Sequence, residues 1–104
     1  MDTIWKYQLE ITDRQEIFMP YSAKILTVQV QHNILCLWAR VSTYQNPVFG
    51  EVKEQRVIEH IRHIEIIGTG NPIPELGIHE AKKKYIGSCI MGDFVWHIFE
   101  IKLN

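Results

Sequence analysis

The chain predicts a mainly β fold: one domain spanning residues 1–104, built as an antiparallel sandwich or incomplete barrel of six or seven strands with little helix. Two observations carry that expectation. Lys84 to Leu103 reads as two β-type runs flanking Gly92-Asp93, a dipeptide that tolerates the positive φ of a tight hairpin. Lys24 to Val41 repeats the pattern around His32-Asn33. Glu51 to Ile67 is ambiguous: Val57, Ile58, Ile61, Ile64 and Ile67 fit a helical stripe, while Ile61 to Ile67 also reads as a β-branched strand.

The C-terminal hairpin is the expected centre. A two-residue turn pairs Met91 with Phe94, Cys89 with Trp96, Gly87 with Ile98 and Tyr85 with Glu100 on one face. The other face pairs Ile90 with Val95, Ser88 with His97, Ile86 with Phe99 and Lys84 with Ile101. Both faces are apolar near the turn, so cover is expected on both sides. At the N-terminus, Thr3, Trp5, Tyr7, Leu9 and Ile11 alternate with Ile4, Lys6, Gln8 and Glu10 as a half-buried strand does. The run Glu16 to Met19 is expected to fold back on it through a three-residue loop. That register sets Ile11 against Ile17 and Leu9 against Met19, with Trp5 facing inward.

The second hairpin gives the most informative register. One face collects Val30 with Leu35, Val28 with Leu37 and Leu26 with Ala39. The other collects Gln31 with Ile34, Gln29 with Cys36, Thr27 with Trp38 and Ile25 with Arg40. Trp38 therefore stands on a polar face, where an indole needs either a covering segment or a ligand. Ser42 to Glu54 reads as a loop, followed by a short helix or irregular turn to about His60 and then a strand. Gly68-Thr69-Gly70-Asn71-Pro72 ends that strand, and Leu76 to Lys83 reads as loop with at most one helical turn.

Composition limits function. With 46% hydrophobic residues and a net charge of −1, the chain is neither disordered nor built around a nucleic-acid-binding basic face. Lys82-Lys83-Lys84 reads as a solvated loop end. No apolar run is long enough to span a bilayer, and the N-terminus goes straight into Thr3-Ile4-Trp5, so neither membrane nor secretory signal is expected. Cys36 and Cys89 lie in strand runs and read as buried thiols of a reducing compartment, with a disulfide left open.

No catalytic signature emerges. Gly68-Thr69-Gly70 lacks the helix that a dinucleotide or phosphate loop requires. On a strand His60 and His63 point to opposite faces and recruit no third ligand, so no metal or cofactor is expected. Ser88 and His97 share a face but lack a carboxylate and an open cleft. A buried histidine bonded to serine is the simpler account.

The segments Ile4-Trp5-Lys6-Tyr7, Ile25 to Gln31 followed by Leu37-Trp38-Ala39, Gly68-Thr69-Gly70, Tyr85-Ile86-Gly87 and Phe94-Val95-Trp96-His97 come in a telling order. Together the motifs resemble an uncharacterised family of short proteins of bacteriophages and prophages, over most of the chain. The sequence departs from that pattern at His32-Asn33, where a glycine-containing turn is expected, and in a longer Val41–His63 segment. The resemblance implies an accessory protein acting in the cytoplasm of an infected bacterium, where such proteins blunt host defences, and it transfers no catalytic residue.

The resulting expectation is a non-enzymatic homo-oligomer that sequesters a small nucleotide-like ligand between subunits. Trp38 with Tyr44 or Phe49 would stack on the ligand, and Arg40 would meet its charge. The backbone of Gly68, Thr69, Gly70 and Asn71 would offer donors. The alternatives are an inhibitor that binds a host protein through the Trp38 face or an open strand edge, and a structural domain of the virion or its morphogenesis.

Overall fold

The computed structural model describes residues 1–42, 47–48, 51–52 and 59–104. The strands are β1 (Asp2–Gln8), β2 (Arg14–Pro20), β3 (Lys24–Gln31), β4 (Ile34–Ser42), β5 (Pro47–Val48), β6 (Glu51–Val52), β7 (Glu59–Gly68), β8 (Glu80–Met91) and β9 (Phe94–Leu103). Two antiparallel sheets, ordered β1-β4-β3 and β2-β7-β9-β8, form the sandwich, and β5 pairs with β6 in a short ribbon. There is no helix among the described residues, and so none long and apolar enough to cross a membrane.

The core lies between the sheets. Val28, Leu35, Leu37, Ala39 and Val41 meet Met19, Ile64, Ile66, Cys89 and Ile98 there. The alternation that placed Val28 and Val30 opposite Leu37 and Leu35 is observed, as is Trp38 opposite Thr27 on the outer face. Asn33 and His32 turn that hairpin with φ of 64° and 51°, the paired left-handed conformation that a two-residue loop demands.

Each long hairpin keeps its expected register near the turn and then slips by one residue. In β3 the ladder shifts at Leu26, so Ile25 rather than Leu26 faces Ala39, and Leu26 is exposed. In β8 it shifts at Ile86, so Tyr85 faces Phe99 and Lys84 faces Glu100. These are β-bulges: one unpaired residue bends the strand, and every later side chain changes face. The two bulged strands approach one another. A Cβ on Gly87 would sit 3.2 Å from the Val28 side chain, so only glycine fits there without displacement.

Several expectations are corrected. β1 and β2 do not pair with each other. β1 lies against β4 and β2 against β7, in different sheets. The Gln15 side chain explains the corner, because its amide donates to the Glu10 carbonyl at 2.7 Å while its oxygen accepts the Glu10 N–H at 3.1 Å. A side chain thus stands in for the ladder at this crossing between sheets. Trp5 does lie on the inner-facing side with Tyr7, but at its margin, and is 39% exposed.

The expected helix or turn before His60 finds no support at Glu51–Val52 or from Glu59 onward, which are strand; residues 53–58 lie outside the described ones. Lys82 to Lys84 belong to strand β8 rather than to a loop end. The C-terminal hairpin is covered on both faces only along its lower part, since Ile90 and Phe94 beside the turn are 71% and 64% exposed. Cys36 and Cys89 are both buried and free, which closes the disulfide alternative. Burial, and then the neighbouring Cys36, push the Cys89 thiol upward.

Ile98 is fully buried on the internal strand β9, whereas Ile90 stands in water. Ile98→Ala is expected to cost about 2–5 kcal/mol, and Ile90→Ala to stay within about 0.5 kcal/mol. Urea unfolding of both variants checks the hairpin's facing.

Candidate functional site

The turn after β7 is shaped by its glycines. Gly70 takes φ of 90°, a conformation that side chains resist. Gly68 is required for space instead: a Cβ there would lie 3.1 Å from the Trp96 ring and 3.0 Å from the Asn71 amide. The Asn71 N–H closes the turn on the Gly68 carbonyl, and the Thr69 N–H donates to the Val95 carbonyl, each at 3.1 Å. The turn is thereby pinned to β9.

Beyond it the chain runs across the outer face of the four-stranded sheet. Lys83 Nζ donates to the Pro74 carbonyl, the Gly77 N–H donates to Glu80 at 2.7 Å, and the Asn104 side-chain amide donates to the Ile78 carbonyl at 3.1 Å. Beneath this crossing segment Glu65 is only 2% exposed. It accepts from Arg14 Nε at 2.9 Å and from Lys83 Nζ at 2.6 Å. Arg14 also reaches Glu80 at 2.6 Å. Arg14, and then the Gly77 N–H, hold the Glu80 carboxyl down at about 2.

Between the turn and the sheet lies His97. Its Nε2 is 2.8 Å from Thr69 Oγ1 and its Nδ1 is 3.0 Å from the Tyr85 hydroxyl. The Thr69 hydroxyl also lies 3.4 Å from the Val95 carbonyl, which can only accept. The Thr69 and Tyr85 hydroxyls can each donate or accept, so the row closes with His97 in either neutral tautomer. The Tyr85 ring packs edge-on to Phe99, with centroids 5.1 Å apart. These groups bound a cleft of about 250 Å³ that Ile67 and Ile73 complete. A second depression of about 560 Å³ lies on the other flank of the same turn, among Arg14, Glu65, Pro74 and Trp96.

Residues 1–104 match the profile of a domain of unknown function, DUF7352. The chain belongs to that family. No curated protein and no solved structure matches the DUF7352 chain.

The structure distributes the sequence-derived site residues over two places. Gly68, Thr69, Gly70 and Asn71 all line the turn cleft. Trp38 is half-buried on the outer face of the three-stranded sheet, so within one chain the two groups occupy opposite outer faces. Arg40 is exposed and already neutralised: Nε and Nη2 donate to Asp2 Oδ2 at 2.9 and 2.5 Å. Asp2 also accepts from the Ser42 hydroxyl at 2.6 Å, and that bond first, then Arg40, holds its carboxyl below the usual range. Tyr44 and Phe49 lie outside the described residues.

The expected Ser88–His97 bond in a dense core is replaced. Ser88 is exposed, and His97 turns to Thr69 and Tyr85. His60 and His63 alternate across β7, facing Met19 and Glu16 respectively. No group of three or more metal-ligating side chains gathers among the described residues. Sequence reasoning missed Tyr85 and Phe99, because the β8 bulge that turns Tyr85 toward His97 leaves no trace in the alternation.

Since the folded Glu80 carboxyl titrates below its unfolded counterpart, its contribution to stability is complete above the ordinary glutamate range. That contribution drains away as the pH falls toward about 2. Arg14→Ala is expected to flatten this acid dependence, which urea unfolding at a series of pH values between about 5 and 2 measures.

Proposed function

We propose that this DUF7352 chain is a non-enzymatic binding protein that sequesters a small nucleotide-like ligand. The resemblance to short phage and prophage proteins supports an accessory role in the cytoplasm of a bacterial host, directed against a host defence. The observation that carries the ligand reading is the cleft at the Gly68–Asn71 turn. It combines aromatic walls, Tyr85 and Phe99, with a fixed polar row, Thr69–His97–Tyr85. A few placed polar groups among apolar ones suit a planar, hydrogen-bonding ring.

The same row favours holding over turnover. Both His97 nitrogens are engaged by neutral hydroxyls, and neither of these partners is a carboxylate that would orient a general base. Association into a homo-oligomer is part of the proposal. Phe18, paired with Ile61 on the outer side of the β2–β7 edge, is 55% exposed, and Ile4 on edge strand β1 is 59% exposed. A pocket joining Trp38 to the Gly68–Asn71 turn requires two such chains. The protein-inhibitor alternative draws on a different feature, the exposed hairpin tip of Ile90 and Phe94, with Phe94 stacked on Trp96 at 5.8 Å.

Native mass spectrometry of freshly purified protein is expected to show a closed oligomer carrying a small molecule. Nucleotides added back to the emptied protein should raise its melting temperature. Tyr85→Ala, at a half-exposed position, should abolish that rise while leaving the unliganded melting temperature nearly unchanged. A strict monomer without bound mass, unmoved by any nucleotide, would sink the reading.

A further inference from the structure

The two bulges, at Leu26 in β3 and Ile86 in β8, flank one depression at the end of the sandwich away from both hairpin turns. The sheets are pinched together where Val28 meets Gly87 and part toward Ala23–Leu26 and Lys84–Ile86, leaving a cleft of about 330 Å³. Its lining carries four cationic side chains, Lys24, Arg62, Lys84 and Lys102, against the single carboxylate of Glu100. On a chain whose net charge is −1, that is a strong local segregation of positive charge.

The carboxylate does not cancel it. Arg62 donates to Glu100 from both Nε and Nη2, the latter at 3.0 Å, and its Nη1 donates to the Ala23 carbonyl at 2.7 Å. Lys102 stands 3.2 Å from the same carboxylate, which is thus outnumbered two to one. Lys24 and Lys84 are exposed and, among the described residues, make no ion pair. Lys84 is turned onto the inner face beside Glu100 by the Ile86 bulge; unbulged, it would sit opposite Ile101 on the other side of the sheet. The bulges also interrupt the β3 and β8 ladders at the cleft, as bulges beside binding sites do.

We propose that this cleft is an anion site for a polyphosphate chain, either free or as the tail of a nucleotide. It lies across β8 from the His97 cleft, shares only Tyr85 with it, and stands independently of the ligand reading given above. Two exposed lysines, Lys24 and Lys84, supply the charge. Arg62 and Glu100 fix the floor, and a cleft of about 330 Å³ has room for a short chain of phosphate groups.

Calorimetric titration with tripolyphosphate and, separately, with ATP tests the proposal. Both are expected to bind saturably at low salt and more weakly as salt rises. Equal affinities would identify the phosphate chain alone as what is recognised, and tighter binding of ATP would add its nucleoside. The Lys24→Ala/Lys84→Ala variant should lose roughly tenfold or more in affinity for both ligands. A Lys6→Ala variant, which removes a positive charge from the outer face of the three-stranded sheet, should bind tripolyphosphate as the parent does. Absence of binding by the parent, or equal weakening in the two variants, would overturn the site. So would undiminished binding by the Lys24→Ala/Lys84→Ala protein with its melting temperature intact. Because Tyr85 borders both clefts, His97→Ala, which alters the other cleft alone, separates the two readings: it should abolish the nucleotide-dependent rise in melting temperature and leave tripolyphosphate binding as in the parent.

Discussion

One extra residue in β8 governs what the outer half of this sandwich can do. A strand assigns its side chains to faces by strict alternation, so a single unpaired residue reverses every assignment beyond it. The bulge at Ile86 sends Tyr85 to the outer face, opposite Phe99 and within 3.0 Å of His97. The same step sends Lys84 to the inner face, opposite Glu100. An unbroken ladder would bury Tyr85 beside Glu100 and leave Lys84 against Ile101. Neither cleft would then have its defining side chain. Gly87 is where β8 can come this close to β3, with the Val28 methyl occupying the space a Cβ would need.

Two buried carboxylates fix what the bulge arranges. Glu65 on the outer face and Glu100 on the inner face are 2% and 3% exposed. An ionised carboxylate persists at such depth only when cations and N–H donors meet it. Glu65 draws Arg14 and Lys83 onto itself, and through Lys83 and Pro74 it secures the segment that roofs the outer face. Glu100 draws Arg62 and Lys102, and through Arg62 it secures the Ala23 carbonyl at the start of β3. Burial pushes the Glu100 carboxyl up, but the bonds and charge of Arg62, joined by Lys102, outweigh it and leave it below the usual range. Removing either partner would strand a charge in the interior, which costs more than the pair contributes.

Much of the fold was legible because turns set register. Gly92-Asp93 and His32-Asn33 fix the pairs nearest to them, and those pairs are observed from Met91–Phe94 to Gly87–Ile98 and from Gln31–Ile34 to Thr27–Trp38. Bulges escaped notice because Ile25-Leu26 and Tyr85-Ile86 are adjacent apolar residues, either of which satisfies an inward position. The N-terminal pairing went astray for a related reason. Two short alternating runs fit each other as well as they fit other strands, and alternation does not encode the bonds that make the crossing between sheets: the Gln15–Glu10 clip, with the Leu9 N–H on the Leu35 carbonyl and the Ile66 N–H on the Asp13 carbonyl. Among site residues, Gly68 to Asn71 announced a turn by composition. Their partners His97, Tyr85 and Phe99 come together only through the order β7-β9-β8. Glu65 and Glu100 left a faint signal that could have been read: each is a lone carboxylate flanked on both sides by Ile or Phe in a strand.

The functional picture therefore rests on the face that each residue of β8 presents. Cross-strand nuclear Overhauser contacts in the isotopically labelled protein read this directly. The account requires Tyr85 to lie opposite Phe99 and Lys84 opposite Glu100, with contacts from the Tyr85 ring to His97. Contacts that instead set Tyr85 opposite Glu100 and Lys84 opposite Ile101 would mean an unbroken ladder, and both clefts as described would be contradicted.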